Sequence, residues 1–266
     1  MTIIHKTACV DSSAKIGDGV EIGPFCVVGP DVSLGDNVKL HSHVVIECNT
    51  SLGKNCQVYP FAAIGGAPQH LGYKGDPTRL EIGENTIIRE SVTMSRGMPN
   101  AGGLTRVGSN GYFMAYSHVA HDCVIGNNVI FANSATLGGH CHVGDGVIIS
   151  GLAAVHQFCR IGTGAFIGGV TGVANDVIPF GSVLGDRAEL GGLNIVGLKR
   201  RGYDRKTIHE VRNAYKMIFS GSGTLQDRAQ AAEAEYADNP LVMLIVDFLK
   251  SGSGRAFCTP RDSARV

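Results

Sequence analysis

His121 and Gly139 stand 18 residues apart, as do Asp122 and His140, and His156 follows Val155, which lies 18 beyond Leu137. An imidazole titrates near neutral pH and takes a proton from a hydroxyl group. A neighbouring carboxylate, Asp122, would hold its tautomer, and the backbone N–H near Gly139 would face a developing oxyanion, because glycine permits close approach. No convincing serine or cysteine nucleophile accompanies the set, so direct attack by a substrate hydroxyl fits better than a covalent intermediate. Zinc is the rival chemistry. His118-x-x-His121 and His140-x-His142 offer ligand types, although His118 and His121 have opposite strand parity while His140 and His142 share a face.

The spacing of 18 has a source. Stepping by six from Val10 gives Ile16, Ile22, Val28, Leu34, Leu40, Ile46, Leu52, Val58 and Ile64. The same phase resumes at Ile82, Ile88 and Met94, and after one extra residue it runs from Val107 to Val173. All twenty-five positions are apolar, and thirteen are followed directly by glycine. This is the pattern of a parallel β-helix, in which each hexapeptide is a short strand plus a corner. Three hexapeptides make a triangular coil, residues 18 apart stack about 4.8 Å apart, and twenty-five positions make about eight coils. Glycine is expected where the corner turns through positive φ. Cys26, Cys56, Cys123, Cys141 and Cys159 each sit four residues after a repeat position, which predicts a half-buried corner thiol with a structural role.

Two excursions rich in glycine and proline, 65–80 and 95–106, interrupt the coils, and such loops are where function concentrates. After Ile178-Pro179 the text reads as helical. Asp204 would cap a helix carrying Ile208, Val211, Tyr215 and Ile218 on one face. Thr224 would cap a second through Tyr236, and Asn239-Pro240 a third over Leu241 to Lys250, with a frayed tail after Ser251. The expected domains are therefore a repeat prism over 1–186 and a helical unit over 187–266.

Composition narrows the class. Thirty-seven glycines without a period of three exclude collagen, and 44% hydrophobic residues with zero net charge argue against disorder. Neutrality also argues against a nucleic-acid binder. The longest strongly apolar run, Leu241 to Val246, falls far short of the roughly 20 residues of a membrane span, and the N-terminus lacks the pattern of a signal peptide. Eight cysteines without a secretory signal predict reduced thiols in the cytoplasm. Residues 1–186 carry 10 basic and 14 acidic groups, and 187–266 carry 13 and 9, so a −4 prism is joined to a +4 end that suits an acidic partner.

Several motifs are more specific than the repeat: Ile22-Gly-Pro-Phe-Cys-Val-Val-Gly-Pro30, Arg89-Glu-Ser-Val-Thr93 with Arg96-Gly97, Ala120-His-Asp-Cys123, Ala154-Val-His-Gln-Phe-Cys159, Gly197-Leu-Lys-Arg-Arg-Gly202 and Arg212-Asn-Ala-Tyr-Lys216. With them the chain resembles the UDP-N-acetylglucosamine O-acyltransferase family over roughly 1–250. The resemblance implies a mainly β fold, a left-handed parallel β-helix of hexapeptide repeats with a C-terminal α-helical domain. It implies transfer of an (R)-3-hydroxyacyl group from acyl carrier protein to the 3-hydroxyl of UDP-N-acetylglucosamine, at the start of lipid A synthesis. It further implies a homotrimer with sites between subunits and no metal or cofactor. His121 would be the general base, Asp122 its orienting partner and Gly139 the oxyanion donor. Gln69, His118, His140, His156 and Gln157 would line the substrate cleft, Asn194, Arg200 and Arg201 would hold the nucleotide, and Gly169 would limit the acyl tunnel. His70 and Gly72 replace the family's usual acidic residue and lysine, and Val196 stands where glutamate is common. These departures raise the alternative of a 3-amino acceptor; a zinc-dependent hydratase on the same fold is a further alternative.

Overall fold

The computed structural model describes residues 1–252 and 254–261. Its first two-thirds form a left-handed parallel β-helix with three flat faces, made of sheets of 11, 9 and 8 strands. Most strands are only two residues long, and uninterrupted coils pair residues 18 apart, as in Cys9↔Val27 and Thr136↔Ala154. The stack starts at Ile3–Ile4, one hexapeptide before Val10. The excursions stretch the register, so that Val58 pairs with Ile88 and Ile88 with Phe113.

Each coil turns its corners three residues after the inward aliphatic position. Asn, Asp, His, Phe and Ser dominate there, at φ between 47° and 66°. The glycines that directly follow the aliphatic residues have another role. Gly65 apart, they keep ordinary φ, but a Cβ on them would strike the next coil: on Gly29 it would lie 1.6 Å from Glu47 O, and on Gly138 2.7 Å from Gln157 N. The expectation that glycine marks the left-handed turn holds at Gly19, Gly146 and Gly164, at φ 60–69°, but not for the glycine that follows the aliphatic residue. Stacking distance demands it, while asparagine, the best non-glycine resident of left-handed backbone, fills many of the turns. On one edge Asn37, Asn55, Asn85 and Asn110 hydrogen-bond in a ladder at 3.2, 2.9 and 3.2 Å.

The next position, four after the aliphatic residue, is a second core site. Val20, Val32, Val38, Val44, Val129 and Val147 fill it, as do Cys26, Cys56, Cys123, Cys141 and Cys159, all essentially without solvent exposure. The cysteines are fully buried rather than half-buried, and Cys123 and Cys141 donate to the carbonyls of Gly138 and His156 one coil on, at 3.2 and 3.1 Å. Burial pushes the Cys56 thiol up to about 11 and Cys159 to about 12, so both stay protonated and inert.

The prism does not give way directly to helices. Gly181–Leu184 joins one face in parallel and turns into Glu189–Leu193, an antiparallel hairpin whose turn contains residue 186, the expected boundary. A short helix the sequence did not announce follows, α1 (Ile195–Arg200), capped by Asn194. The three expected helices are α2 (Arg205–Phe219), α3 (Leu225–Glu235) and α4 (Pro240–Lys250), with caps Asp204, Thr224 and Asn239 as read. The tail expected to fray does not do so over 254–261. It returns to the prism, where Phe257 bridges Asp176 and Leu190 N donates to Thr259 O at 2.9 Å.

Candidate active site

His121 and Asp122 fall on a corner because the strand ending at Val119 must turn there. Asp122 supplies the left-handed residue, φ 60°. One coil further the same corner carries Gly139 and His140 (φ 59°), and the next carries His156, Gln157 and Phe158. The stacking is direct, with the rings of His140 and Phe158 parallel at 4.5 Å.

Asp122 is 6% exposed and held at both carboxylate oxygens and at its own amide. Its Oδ1 accepts the Met98 N–H at 2.8 Å, its Oδ2 lies 2.7 Å from His121 Nδ1, and its own N–H donates to Thr105 Oγ1 at 2.8 Å. A carboxylate can only accept, so Nδ1 of His121 carries the proton and Nε2 keeps its lone pair. That leaves a base whose orientation is fixed from behind. Gly139 packs against the imidazole so tightly that a Cβ would lie 2.7 Å from His121 Cε1. Among the described residues the Gly139 N–H has no acceptor. His118 is tied to Thr93 Oγ1 at 2.7 Å, and burial lowers its pKa; burial also lowers that of His140, against the opposing pull of Asp122.

His121, Asp122 and His140 bring ligand-type atoms within 4.8 Å of one another. This is not either of the two pairs expected from spacing, since neither His118 nor His142 joins the group. The Nδ1 of His121 is already engaged by Asp122, which suits a proton-transfer pair.

The excursions reach this corner. Gln69 and His70 are exposed on the first, and the His70 ring meets His121 edge-on at 5.6 Å. The second supplies Met98, and Gly97 passes so close that a Cβ would sit 2.8 Å from Asp122 Oδ1. Thr93, Met98 and Thr105 were missed in the sequence. The signal was present, because the second excursion lengthens one coil to 25 residues, and adding 25 to Thr93 gives His118.

The remaining expected residues lie elsewhere on the prism. Asn194, Val196, Arg200 and Arg201 line a cavity of about 590 Å³ with Asn128, Gly146 and Phe166, at another edge. There Arg201 donates to Gly146 O at 2.8 Å, and Asn194 caps α1 while donating to Gly164 O at 3.1 Å. Gly169 sits on the third edge, against Gly151 O and beside Val170. One chain thus divides the expected site among its three edges. A separate basic cavity of about 840 Å³ between α1 and α2 is lined by Lys199, Arg205, Lys206, His209 and Arg212. No helix among the described residues is long and apolar enough to cross a membrane.

Known proteins bear on this geometry. The family model for UDP-N-acetylglucosamine O-acyltransferase, domain 2, matches residues 176–258, and that for bacterial transferase hexapeptide (six repeats) matches 13–48 and 105–139. The chain is 52% identical to acyl-[acyl-carrier-protein]–UDP-N-acetylglucosamine O-acyltransferase of Caulobacter vibrioides, covering 97% of this chain and 98% of the relative. It is 48% identical to the enzyme of the same name from Rhizobium johnstonii, over 97% and 94%. The crystal structure of UDP-N-acetylglucosamine acyltransferase from Francisella novicida superposes with a TM-score of 0.95 at 36% identity, covering 99% of this chain and 96% of that one.

Proposed function

The chain belongs to the UDP-N-acetylglucosamine O-acyltransferase family, and on that premise we propose that His121 is the general base in moving an (R)-3-hydroxyacyl group from acyl carrier protein to the 3-hydroxyl of UDP-N-acetylglucosamine, the entry to lipid A synthesis. The hydroxyl proton passes to His121 Nε2 as its oxygen bonds to the thioester carbon, and Asp122 stabilises the imidazolium that forms. The carbonyl oxygen gathers charge toward the Gly139 N–H. Collapse breaks the carbon–sulfur bond, and the proton on His121 goes to the departing thiolate. The observation that carries this reading is the 2.7 Å His121–Asp122 bond one coil away from a glycine amide with no acceptor among the described residues. The relatives' names favour the hydroxyl acceptor over the amine, and acyl transfer over a hydratase. In the purified enzyme His121→Ala should lose roughly 10²–10⁴-fold in turnover; near-normal rates with the fold intact would refute the assignment.

The family resemblance behind this reading adds a cytoplasmic homotrimer to the proposal. The histidine corner and the Asn194–Arg200–Arg201 cavity occupy different edges, so a single substrate touches both only when neighbouring copies face each other. Co-expressed His121→Ala and Arg201→Ala chains should then recover about a quarter of wild-type activity, since that share of clefts draws an intact half from each copy. Activity no higher than either parent alone would argue against shared sites. The basic cavity between α1 and α2 suits the acidic carrier protein.

A further inference from the structure

The tail that returns to the prism ends its first turn on the proposed cleft. Arg255 Nη2 lies 3.0 Å from His156 Nδ1 while its Nη1 donates to Ala174 O at 2.9 Å. The backbone around it is held firmly: Asp176 N donates to Ala256 O at 2.9 Å and Cys258 N to Asp176 O at 2.8 Å. The Phe257 ring packs against Phe248 of α4 at 6.2 Å. Beneath lies a partly buried ion pair, Arg160 to the buried Asp176 at 2.7 Å, with the Arg160 guanidinium over the Phe248 ring at 4.3 Å.

A second group competes for the same nitrogen. The Gln157 carbonyl lies 3.1 Å from His156 Nδ1. A carbonyl can only accept and a guanidinium can only donate, so the two contacts require opposite tautomers. With Arg255 in place, Nδ1 accepts and the proton sits on Nε2. Without it, Nδ1–H turns to the Gln157 carbonyl and Nε2 becomes a bare acceptor. We propose that Arg255 is a positioning residue, which fixes His156 as an Nε2–H donor toward the substrate cleft. The proposal rests on the reading above that His156 lines that cleft, and it gives the C-terminal tail a part in substrate binding.

The test uses the full-length enzyme with ¹⁵N-labelled histidine, and His156→Gln to assign its ring signals. Wild type should show His156 protonated on Nε2; a proton on Nδ1 would overturn the proposal whether or not any variant folds and whether or not the acyl acceptor is correctly assigned. Arg255→Met should move that proton to Nδ1 and lower kcat/KM for UDP-N-acetylglucosamine roughly 5–30-fold, the effect of one hydrogen bond. The melting temperature should stay within about 2 °C. Arg255→Lys, which keeps the donor, should restore both readouts. If Arg255→Met costs as much in a His156→Ala background as in wild type, the arginine acts elsewhere and the proposal fails.

Discussion

Replacing Asp122 with asparagine keeps its volume and inverts one hydrogen bond. The side chain faces two donors, Met98 N–H at 2.8 Å and His121 Nδ1–H at 2.7 Å, and an amide has only one oxygen. Turning the NH₂ toward Met98 would oppose two buried donors, at about 1–3 kcal/mol. Facing His121 instead asks only that the imidazole change tautomer, which puts its proton on Nε2 and removes the lone pair that accepts the substrate proton. The whole general-base contribution is then at stake, roughly 10²–10⁴ in kcat, or about 3–5 kcal/mol of barrier at 1.36 kcal/mol per decade. Stability should change little, by about 1–2 kcal/mol, because Met98 keeps an acceptor, although an uncharged one. Asp122→Ala, by contrast, also releases the 95–106 excursion and should lower the melting temperature further. The assay is initial rates with purified acyl carrier thioester and UDP-N-acetylglucosamine, alongside thermal melts. A kcat within about threefold of wild type in a folded Asp122→Asn would refute the tautomer argument.

Other consequences are as direct. Gly139→Ala places a methyl 2.7 Å from His121 Cε1 and should cost at least roughly 10²-fold in kcat with an unchanged melting temperature, as a displaced base does; an active variant would show that the ring has room. Gly29→Ala should destabilise by about 3 kcal/mol or more, since its Cβ falls 1.6 Å from Glu47 O, whereas Gly19→Asn at φ 68° should change stability by less than about 1 kcal/mol, because its Cβ is crowded by the Asn37 side-chain oxygen at 2.5 Å, which can swing aside, and not by backbone. Urea midpoints decide, and equal losses would refute the distinction between stacking and turning positions. Burial holds His118 and His140 below the ordinary value of 6.5, so the folded chain binds fewer protons than the unfolded one. Their stabilising effect is present above that value and is lost as pH falls through it. The melting temperature should drop from about pH 7.5 to 5.5, and less steeply in His118→Asn; an unchanged slope would remove His118 from the account.

Counting by sixes located the histidine corner because the prism is a one-dimensional object, in which equal sequence steps are equal spatial steps. His121 against Gly139 and Asp122 against His140 follow from that alone. The arithmetic fails where the chain leaves the coil. Thr93, Met98 and Thr105 act on the site from across an excursion whose length shifts the register. The hairpin at Gly181–Leu193 escaped although Gly185-Asp186 is a turn signature, because neither Gly-Ser-Val-Leu before it nor Glu-Leu-Gly-Gly-Leu after it shows strand alternation. The tail was read as frayed because Phe257 and Cys258 are too short an apolar run to announce a docking strand. Gly17 and Gly19 look alike in the sequence, yet only Gly19 turns through positive φ. Asn194, Arg200 and Arg201 came from resemblance, and no spacing rule places them on a different edge from His121.

The line of cysteines through the core offers one more use. Cys9 is exposed at the first coils, Cys48 is half-buried, Cys26, Cys56, Cys123, Cys141 and Cys159 are sealed at rising heights, and Cys258 is sealed on the returning tail itself. A thiol reagent should therefore modify Cys9 at once, the half-buried Cys48 next, and each sealed thiol only when its own coil, or for Cys258 the tail, opens. Solenoids can open coil by coil, so the order of labelling reports from which end this one unzips, and how long the tail guards the far end, without any engineered probe.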